Sequence, residues 1–312
     1  MHHRRMGRSG LSVSRLALGT MTWGRETAPD EARDQLAAFL DAGGDLVDTA
    51  HGYAGGLSEQ ALGSFLGDLV EREDLAICTK AGLSRRSGER VVDTSRRALM
   101  NQLDTSLERL GTHYVDLWLV HAWSADTPLE ETLSALDWAV TSGRARYVGV
   151  SNYSGWQSAH AATLMSARSI PLVANEVEYS LLSRRVEDEV APAAEALGLG
   201  LMPWSPLARG VLTGKYRHGI PADSRAASRD YPGFTSRFLG ERTAQVVDAL
   251  VIAARGLEVS PAEVALAWVR DRPGVVAPVV GARTLQQLRT ALASESLSLP
   301  PELVQALDDV SS

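Results

Sequence analysis

Short apolar segments rich in Val, Ile and Leu alternate with longer amphipathic segments along almost the whole chain. Near-continuous apolar runs of this length are typical of strands in a parallel sheet that is covered on both faces. The runs are LALGT at 16–20, DLVDT at 45–49, LAICTK at 75–80, VDLWLVH at 115–121, ARYVGVSN at 145–152, LVANEVE at 172–178, LGLMPWSP at 199–206 and VVAPVVGAR at 275–283.

The segments between these runs carry apolar residues at helical spacing, most clearly over 29–42, 95–110, 129–142 and 186–197. Strands and helices in alternation predict an α/β fold. Eight strands in 312 residues favour a closed (β/α)8 TIM barrel, with 1–312 as a single domain, over an open doubly wound sheet. The open alternative is further weakened because no GxGxxG motif follows the first run.

Two segments stand outside this alternation. Residues 4–13, before the first run, predict a short N-terminal hairpin that caps the barrel floor. Residues 205–240 are irregular and rich in Gly, Pro, Ser and Arg. A loop of this length in a compact domain is usually functional or disordered. We therefore expect long loops on the C-terminal face, with 213–240 mobile until a cofactor binds.

Composition narrows the classes of function. The net charge of −7 argues against a general affinity for nucleic acid or anionic membranes. The one cysteine, Cys78, permits neither an intramolecular disulfide nor a CxxC zinc site. No apolar run follows the basic N-terminal residues, and none reaches transmembrane length. We expect a cytoplasmic enzyme.

Chemically capable side chains stand where the predicted strands end. In a barrel these ends meet on one face, where barrel active sites lie, so residues far apart in sequence should share a cavity. The residues at these ends are Asp48, Lys80, His121, Ser151, Asn152, Trp204 and Ser205.

Asp48, Tyr53, Lys80 and His121 suit one task as a set. A phenol is a poor acid, with a reference pKa of about 10, but a nearby ammonium makes proton release easier. A carboxylate can hold that ammonium, and a histidine can orient the substrate oxygen. Together they would deliver a proton to an oxygen that gains negative charge. Hydride addition to a carbonyl needs that help, and a nicotinamide must supply the hydride.

Each of these residues also has an ordinary interpretation. Asp48 alone is more often a cap or turn residue, Tyr53 a loop aromatic, and His121 a structural histidine. Lys80 could be an ion-pair partner or a Schiff-base lysine. A metal site is not favoured, because the histidines lack the HxH spacing of metal barrels. The joint position at strand ends favours catalysis.

The chain resembles the aldo-keto reductases from the first strand to near the C-terminus. The matching stretches are LALGTMTWG, DLVDTAHGYAGGLSE, CTKAG, VDLWLVH, TPLEETLSALDWAVTSGRARYVGVSN, MPWSPLARGVLTGKY and VVGARTLQQL. The resemblance implies a barrel, NADPH binding without a Rossmann domain, and a catalytic tetrad of Asp48, Tyr53, Lys80 and His121. Within that tetrad, Tyr53 would be the acid and Lys80 and Asp48 would support it.

The resemblance also places the cofactor. Trp204 would stack under the nicotinamide, Ser151 and Asn152 would bind its carboxamide, and Arg283 would pair with a 2′-phosphate. The remaining implied cofactor contacts are Gly19, Thr20, Met21, Asp48, Glu176, Ser205, Pro206, Leu207, Arg209, Gly210, Lys215, Gly281 and Gln287. Trp23 and Trp123, with Tyr53 and His121, would contact a small carbonyl substrate.

Three positions depart from the family pattern. Glu176 stands where a glutamine usually contacts the carboxamide, and a carboxylate cannot donate a hydrogen bond unless it is protonated. Thr290 and Ala291 stand where an acidic or amide pair often reaches the adenine. These departures bear on cofactor affinity, whereas the tetrad shows none.

Three functions follow from these residues. The first is an NADPH-dependent reductase of aldehydes or ketones. The second is a cofactor-binding regulatory subunit of the same fold, of the kind that attaches to membrane channels; it would keep the same tetrad, although the absence of a long N-terminal extension argues against it. The third is a lysine Schiff-base enzyme, in which Lys80 would bind substrate and NADPH would be irrelevant. The carbonyl substrate and the oligomeric state stay open.

Overall fold

The computed structural model describes residues 1–86, 89–222, 224, 226–227, 233 and 235–312. The prediction of a mobile 213–240 segment falls partly on 223, 225, 228–232 and 234, which lie outside the described residues. The strands are β1 (His3–Arg5), β2 (Ser12–Ser14), β3 (Ala17–Gly19), β4 (Leu46–Asp48), β5 (Ala76–Ala81), β6 (Leu83–Arg86), β7 (Glu89–Val92), β8 (Val115–Val120), β9 (Ala145–Ser151), β10 (Leu172–Glu178), β11 (Gly200–Trp204) and β12 (Val279–Gly281).

Eight of these strands form one parallel sheet in the order β11-β10-β9-β8-β5-β4-β3-β12. The two ends of the sheet meet where the amide of Val276 donates to Leu201 O at 2.9 Å, and the amide of Leu201 donates to Gly274 O at 2.9 Å. The sheet is thereby nearly closed. All eight apolar runs contain one of its strands, so the predicted (β/α)8 TIM barrel is confirmed.

Helices surround the sheet. They are α1 (Pro29–Asp41), α2 (Leu57–Gly63), α3 (Arg96–Leu110), α4 (Leu129–Thr141), α5 (Gly155–Ser166), α6 (Val190–Leu197), α7 (Glu241–Gly256), α8 (Pro261–Arg270), α9 (Leu285–Ala293) and α10 (Pro301–Ser311). Three of the predicted helices agree with α1, α3 and α4 to within a residue or two. None of the described helices is both long enough and apolar enough to cross a membrane.

The predicted helix over 186–197 is wrong as one element. The structure has a short 3-10 helix at Arg185–Glu187, and α6 begins only at Val190. Pro192 explains the break, because a proline ring clashes with the carbonyl four residues earlier in a continuous helix. Pro192 is tolerated here because it lies in the first turn of α6.

The predicted hairpin at the N-terminus is confirmed. Strands β1 and β2 pair antiparallel, with His3 opposite Ser14. Met6 and Val13 are fully buried and pack on Leu117, Leu119 and other residues that fill the barrel interior. The hairpin therefore closes the N-terminal end of the barrel, which leaves the C-terminal end open for a site.

A second hairpin was not predicted. Strands β6 and β7 pair antiparallel directly after β5, at the C-terminal end of the barrel. Their sequence, LSRR and ERVV, is short and charged, so it lacks the apolar run by which the barrel strands were found. Leu83, Ser84 and Arg90 of this hairpin line the cavity at the barrel mouth.

Candidate active site

A cavity of 1270 Å³ opens at the C-terminal ends of the barrel strands. It lies where the sequence placed the site, and Tyr53 and His121 line it. All of the cofactor residues predicted from the sequence line it except Thr20. Thr20 is fully buried beside it, where its hydroxyl bonds Asp48 O at 3.0 Å and Ser58 Oγ at 2.7 Å.

Lys80 lies behind the cavity wall with a side chain that is 0% exposed. Its ammonium donates to Asp48 Oδ1 and to Thr49 O, the latter at 3.0 Å, and Glu176 Oε2 lies 2.9 Å from Nζ. Burial alone would lower the pKa of an amine, but Asp48 and then Glu176 outweigh it and hold the pKa of Lys80 well above its usual value. Lys80 is therefore a permanent cation shared by two carboxyl groups.

Glu176 is the second carboxyl group on this ammonium, with a side chain that is 3% exposed. Its Oε2 approaches Lys80 without a well-directed hydrogen bond. Burial, followed by the negative charge of Asp48, raises the pKa of Glu176 to about 8, and Lys80 only partly offsets them. The sequence shows Glu176 as a departure from the family pattern, but its contact with Lys80 was not predicted.

Tyr53 lies half-buried at the start of a 3-10 turn that follows β4. Its ring centre lies 5.5 Å from Lys80 Nζ and 6.0 Å from the centre of the His121 ring, which meets it edge-on at 79°. Burial raises the pKa of Tyr53 above its usual value, and the charge of Lys80 opposes that rise. The phenol therefore keeps its proton at neutral pH while standing beside a cation.

His121 directly follows β8, and its ring lies beside that of Tyr53. Burial, then the charges of Lys80 and Arg90, hold the pKa of His121 well below its usual value, so the ring is neutral near pH 7. Its Nδ1 is buried and has no hydrogen-bond partner among the described residues. A neutral imidazole can donate one hydrogen bond to a ligand oxygen but is a poor source of protons.

The loop that carries Tyr53 is fastened by residues that the sequence analysis did not single out. Glu59 is fully buried and accepts from Thr79 Oγ1 at 2.8 Å and from Arg109 Nη1 at 3.1 Å. Arg109 also donates to His51 O at 3.0 Å. Gly56 leaves space for this guanidinium, because a Cβ there would lie 2.3 Å from Arg109 Cζ. The signal available in the sequence was the Ser58–Glu59 pair in the first turn of α2.

On the other side of the cavity floor, the side chains of Trp204, Asn152 and Ser151 form a chain of hydrogen bonds. The Trp204 indole N–H donates to Asn152 Oδ1 at 3.0 Å, and Asn152 Nδ2 donates to His121 O at 3.0 Å and Ser151 Oγ at 2.9 Å. Ser151 Oγ in turn donates to Glu176 O at 2.9 Å. This chain ties the predicted carboxamide contacts to His121 and Glu176 and presents the half-buried Trp204 ring to the cavity.

Backbone strain gathers at the same rim. Ala54, Asn152, Ser205 and Arg209 line the cavity and have positive φ between 49° and 61°, a region that non-glycine residues rarely adopt. Such conformations persist where surrounding structure enforces them, and they cluster at functional sites. Their position agrees with a site at this end of the barrel.

Basic side chains line the outer part of the cavity, among them Arg209, Lys215 and Arg283. Arg209 Nη2 donates to Glu178 Oε1 at 3.3 Å. The Arg283 amide donates to Gln287 Oε1 at 3.0 Å at the start of α9, whose cap is Thr284. Thr290 and Ala291 line the cavity beside them. This rim can hold an anionic ligand.

The two predicted tryptophan contacts lie elsewhere. Trp23 is fully buried, its indole donates to Gln35 Oε1 at 3.0 Å, and its ring packs on Phe65. Trp123 packs edge-on against Tyr153 and Trp156, at 5.2 and 5.3 Å between ring centres. Neither is among the described residues that line the cavity.

Asp48, Cys78 and Glu176 bring their possible metal-ligand atoms within 4.8 Å of one another. The Lys80 ammonium already contacts both carboxyl groups. The positive charge that these groups need is thus supplied by the chain itself.

A sequence model described as the Aldo/keto reductase family matches residues 15–312. The chain is 37% identical to a "Probable voltage-gated potassium channel subunit beta" of Oryza sativa subsp. japonica, over 99% of this chain and 96% of that protein. It is 34% identical to the "Uncharacterized oxidoreductase YrpG" of Bacillus subtilis, over 99% and 96%. It is 35% identical to the "L-glyceraldehyde 3-phosphate reductase" of Escherichia coli (strain K12), over 92% and 86%.

Proposed function

Because the chain belongs to the aldo/keto reductase family, we propose that it reduces an aldehyde or ketone to an alcohol with NADPH, and that Tyr53 donates the proton. The observation that carries the proposal is the buried Lys80–Asp48 pair beside Tyr53, with the His121 ring edge-on to the Tyr53 ring. Proton donation leaves a phenolate, and a fixed cation nearby lowers the cost of that charge.

The pKa directions favour Tyr53 over His121 as the acid. A neutral His121 at pH 7 has no second ring proton to give, whereas Tyr53 is protonated and stands beside Lys80. His121, which lines the cavity, then serves to hold the carbonyl oxygen through the one N–H of its neutral ring. Asp48 keeps the ammonium in place.

The residues of the cavity fit a nicotinamide dinucleotide. The Glu176 carboxyl group and the Ser151 hydroxyl lie on the floor, and the Trp204 ring offers a flat apolar face. Arg209 and Lys215 suit a pyrophosphate, and Gly210, with φ of 90°, leaves room there because a Cβ would lie 3.0 Å from Lys215 Nζ. Arg283 suits a 2′-phosphate, which favours NADPH over NADH. When bound, the cofactor supplies the hydride.

The cavity lining gives a first indication of substrate class. Arg25, Arg90 and Arg109 also line the cavity, while the acidic residues among the described lining residues are Asp48 and Glu176. The Escherichia coli relative is named for a phosphorylated aldehyde. A substrate panel should therefore include carbonyl compounds with a phosphate or carboxylate beside neutral aldehydes, ketones and sugars. A cytoplasmic location and the single-domain assignment stay predictions.

Replacing Tyr53 by phenylalanine tests the role of the phenol. We expect Tyr53→Phe to lower kcat by about 10²- to 10⁴-fold, the usual contribution of a positioned acid, while NADPH binding is retained. NADPH consumption measures the first effect and quenching of protein fluorescence the second. Tyr147→Phe is the matched control, because Tyr147 packs among residues at the closed end of the barrel. Near-normal turnover by Tyr53→Phe would remove Tyr53 from its role.

The regulatory-subunit alternative is supported by the similarity to the Oryza sativa relative, which is named as a probable potassium channel subunit. It predicts that NADPH binds but that the whole panel gives negligible turnover. The Schiff-base alternative predicts that borohydride traps substrate on Lys80 without NADPH. That experiment is easily read, because Lys80 and Lys215 are the only lysines in the chain.

A further inference from the structure

Two carboxyl groups share one ammonium at the centre of this site. Asp48 is hydrogen-bonded to Lys80, and Glu176 Oε2 lies 2.9 Å from the same nitrogen, with the three side chains between 0% and 3% exposed. If both carboxyl groups are ionised, the cluster carries a net charge of −1 away from water. If Glu176 holds a proton, the net charge is zero.

We propose that Glu176 is a positioning residue whose proton keeps the Lys80 cluster neutral, and that loss of this proton sets the upper pH limit of reduction by Tyr53. The proposal rests on the proposed reductase function for its kinetic part only. The protonation state of Glu176 is a property of the free protein and can be measured without a substrate.

The ionisable groups around Glu176 favour the protonated form at neutral pH. Burial in a nearly closed barrel disfavours the charged carboxylate, and Asp48 adds a like charge. The ionisable groups that face Glu176 are Asp48 from β4, Cys78 and Lys80 from β5, and Tyr53 from the loop after β4. Its register partners on β9 and β11, Ser151 and Met202, carry no ionisable side chain.

The charge of the cluster acts on Tyr53. In reduction, the hydride goes from NADPH to the carbonyl carbon and the proton goes from Tyr53 Oη to the carbonyl oxygen, which leaves a phenolate. A cluster of charge −1 opposes that phenolate, whereas a neutral cluster does not. Asp48 and Glu176 both raise the pKa of Tyr53, against the effect of Lys80. Ionisation of Glu176 should therefore slow proton transfer.

The same proton bears on cofactor binding. Glu176 lines the cavity next to Ser151, whose hydroxyl donates to Glu176 O. A neutral carboxylic acid can donate one hydrogen bond and accept others, as an amide does, whereas a carboxylate can only accept. A protonated Glu176 can thus make the same kinds of hydrogen bond as the glutamine of the family pattern, whereas an ionised Glu176 cannot.

The first experiment is infrared spectroscopy of the cofactor-free protein between pH 6 and pH 10. We expect a carbonyl stretch of a protonated carboxylic acid at pH 7 that disappears as the pH rises past about 8, the pKa expected for Glu176. Glu176→Gln should lack this band. Glu187→Gln is the matched control and should keep it, because the pKa of Glu187 is lowered by Arg184 and Tyr179 despite partial burial.

The second experiment follows kcat/KM for reduction and NADPH affinity against pH. In the wild type we expect kcat/KM to fall about tenfold per pH unit above pH 8, as for loss of one essential proton, and NADPH affinity to weaken over the same range. In Glu176→Gln the fall should begin at least one pH unit higher, with an affinity independent of pH. Rescue of alkaline activity is not expected of a change that only disturbs the structure.

Each outcome bears on the proposal. An infrared band that is absent from the wild type at pH 7 overturns it, and this measurement needs no variant to fold. Identical alkaline limbs for wild type and Glu176→Gln also overturn it. If no carbonyl compound is reduced, the proposed function fails, while the infrared band and the pH dependence of NADPH affinity still decide the state of Glu176.

Discussion

The Lys80 cluster (Asp48, Lys80 and Glu176) can be compared with an ionic network at α10, called here the Arg272 network, that consists of Arg184, Arg272, Glu187 and Asp308. In that network Arg184 Nη2 lies 2.7 Å from Glu187 Oε2, and Arg272 Nη1 lies 2.8 Å from Asp308 Oδ2. The cross pairs, Arg272 with Glu187 and Arg184 with Asp308, are 3.6 and 3.4 Å apart. The distances resemble those of the Lys80 cluster, but two cations face two carboxylates.

This difference in stoichiometry reverses the effect on the carboxyl groups. Arg184 and Tyr179 outweigh burial and lower the pKa of Glu187, whereas burial and Asp48 raise the pKa of Glu176. A balanced network holds Glu187 ionised and contributes to stability across the physiological pH range. A cluster with one cation too few retains a proton that the unfolded chain releases, so stability falls as the pH rises from the unfolded to the folded pKa of Glu176. The balanced network therefore suits a structural role, whereas the cluster with a proton to lose suits a catalytic site.

The largest expected effect is that of removing the shared cation. Lys80→Met would leave two buried carboxyl groups without a partner, and breaking a buried pair in this way costs about 3–5 kcal/mol of the free energy of unfolding at pH 7. Urea-induced unfolding measures this loss. At pH 5 the loss should shrink, because a lower pH favours the neutral form of a buried carboxyl group that has lost its partner.

A variant that combines Lys80→Met with Asp48→Asn and Glu176→Gln is the control, and it should regain much of the lost stability. If Lys80→Met unfolds at the same urea concentration as the wild type at pH 7, the ammonium does not stabilise the two buried carboxyl groups. The comparison with the Arg272 network would then fail at its premise.

A smaller and opposite pair of effects is expected for the two glutamates. Glu187→Gln should lower the free energy of unfolding by about 1 kcal/mol at pH 7, the order of one charged hydrogen bond at a partly exposed site. Because the folded pKa of Glu187 is lowered, its contribution is present above the unfolded value and is lost as the pH falls through the folded one.

Glu176→Gln should behave in the reverse sense. The folded pKa of Glu176 is raised from 4.5 to about 8, so wild-type stability falls as the pH rises between these values and the variant escapes that fall. Relative to the wild type, Glu176→Gln should therefore gain stability from pH 5 to pH 8, as measured by urea unfolding. Parallel pH dependences for the two variants would contradict the distinction drawn between the two regions.

The barrel could be predicted from the sequence because each of its strands lies in a short, mainly apolar run, and these runs alternate with helical patterns along the chain. Strands β6 and β7 could not, because a short charged hairpin at the mouth buries little and so leaves no apolar signature. The break before α6 was missed because the helical spacing of 186–197 hides the steric effect of Pro192.

The candidate site likewise contains residues that could be predicted from the sequence and a contact that could not. Asp48, Tyr53, Lys80 and His121 could be found because strand ends converge in a barrel, and the structure brings them together. The contact between Glu176 and Lys80 could not be found, because it depends on the tilt of distant strands. Trp23 was expected at the cavity because it follows a strand end, but its indole finds a buried acceptor in Gln35.

The smallest expected effect is the absence of a reaction at Cys78, which tests whether the Lys80 cluster is dry. Cys78 is fully buried on β5, and burial, then the charge of Asp48, raise the pKa of its thiol well above the usual value. Iodoacetamide at pH 8 should therefore leave the native protein unlabelled over a time in which the urea-unfolded protein is fully labelled. Mass spectrometry reads this directly, since the chain has one cysteine. Labelling of the native protein faster than its unfolding would mean that water and reagent reach the strands behind Tyr53. Both carboxyl groups could then ionise at little cost, and the smaller number of cations in the Lys80 cluster would no longer set it apart from the Arg272 network in its effect on the carboxyl groups.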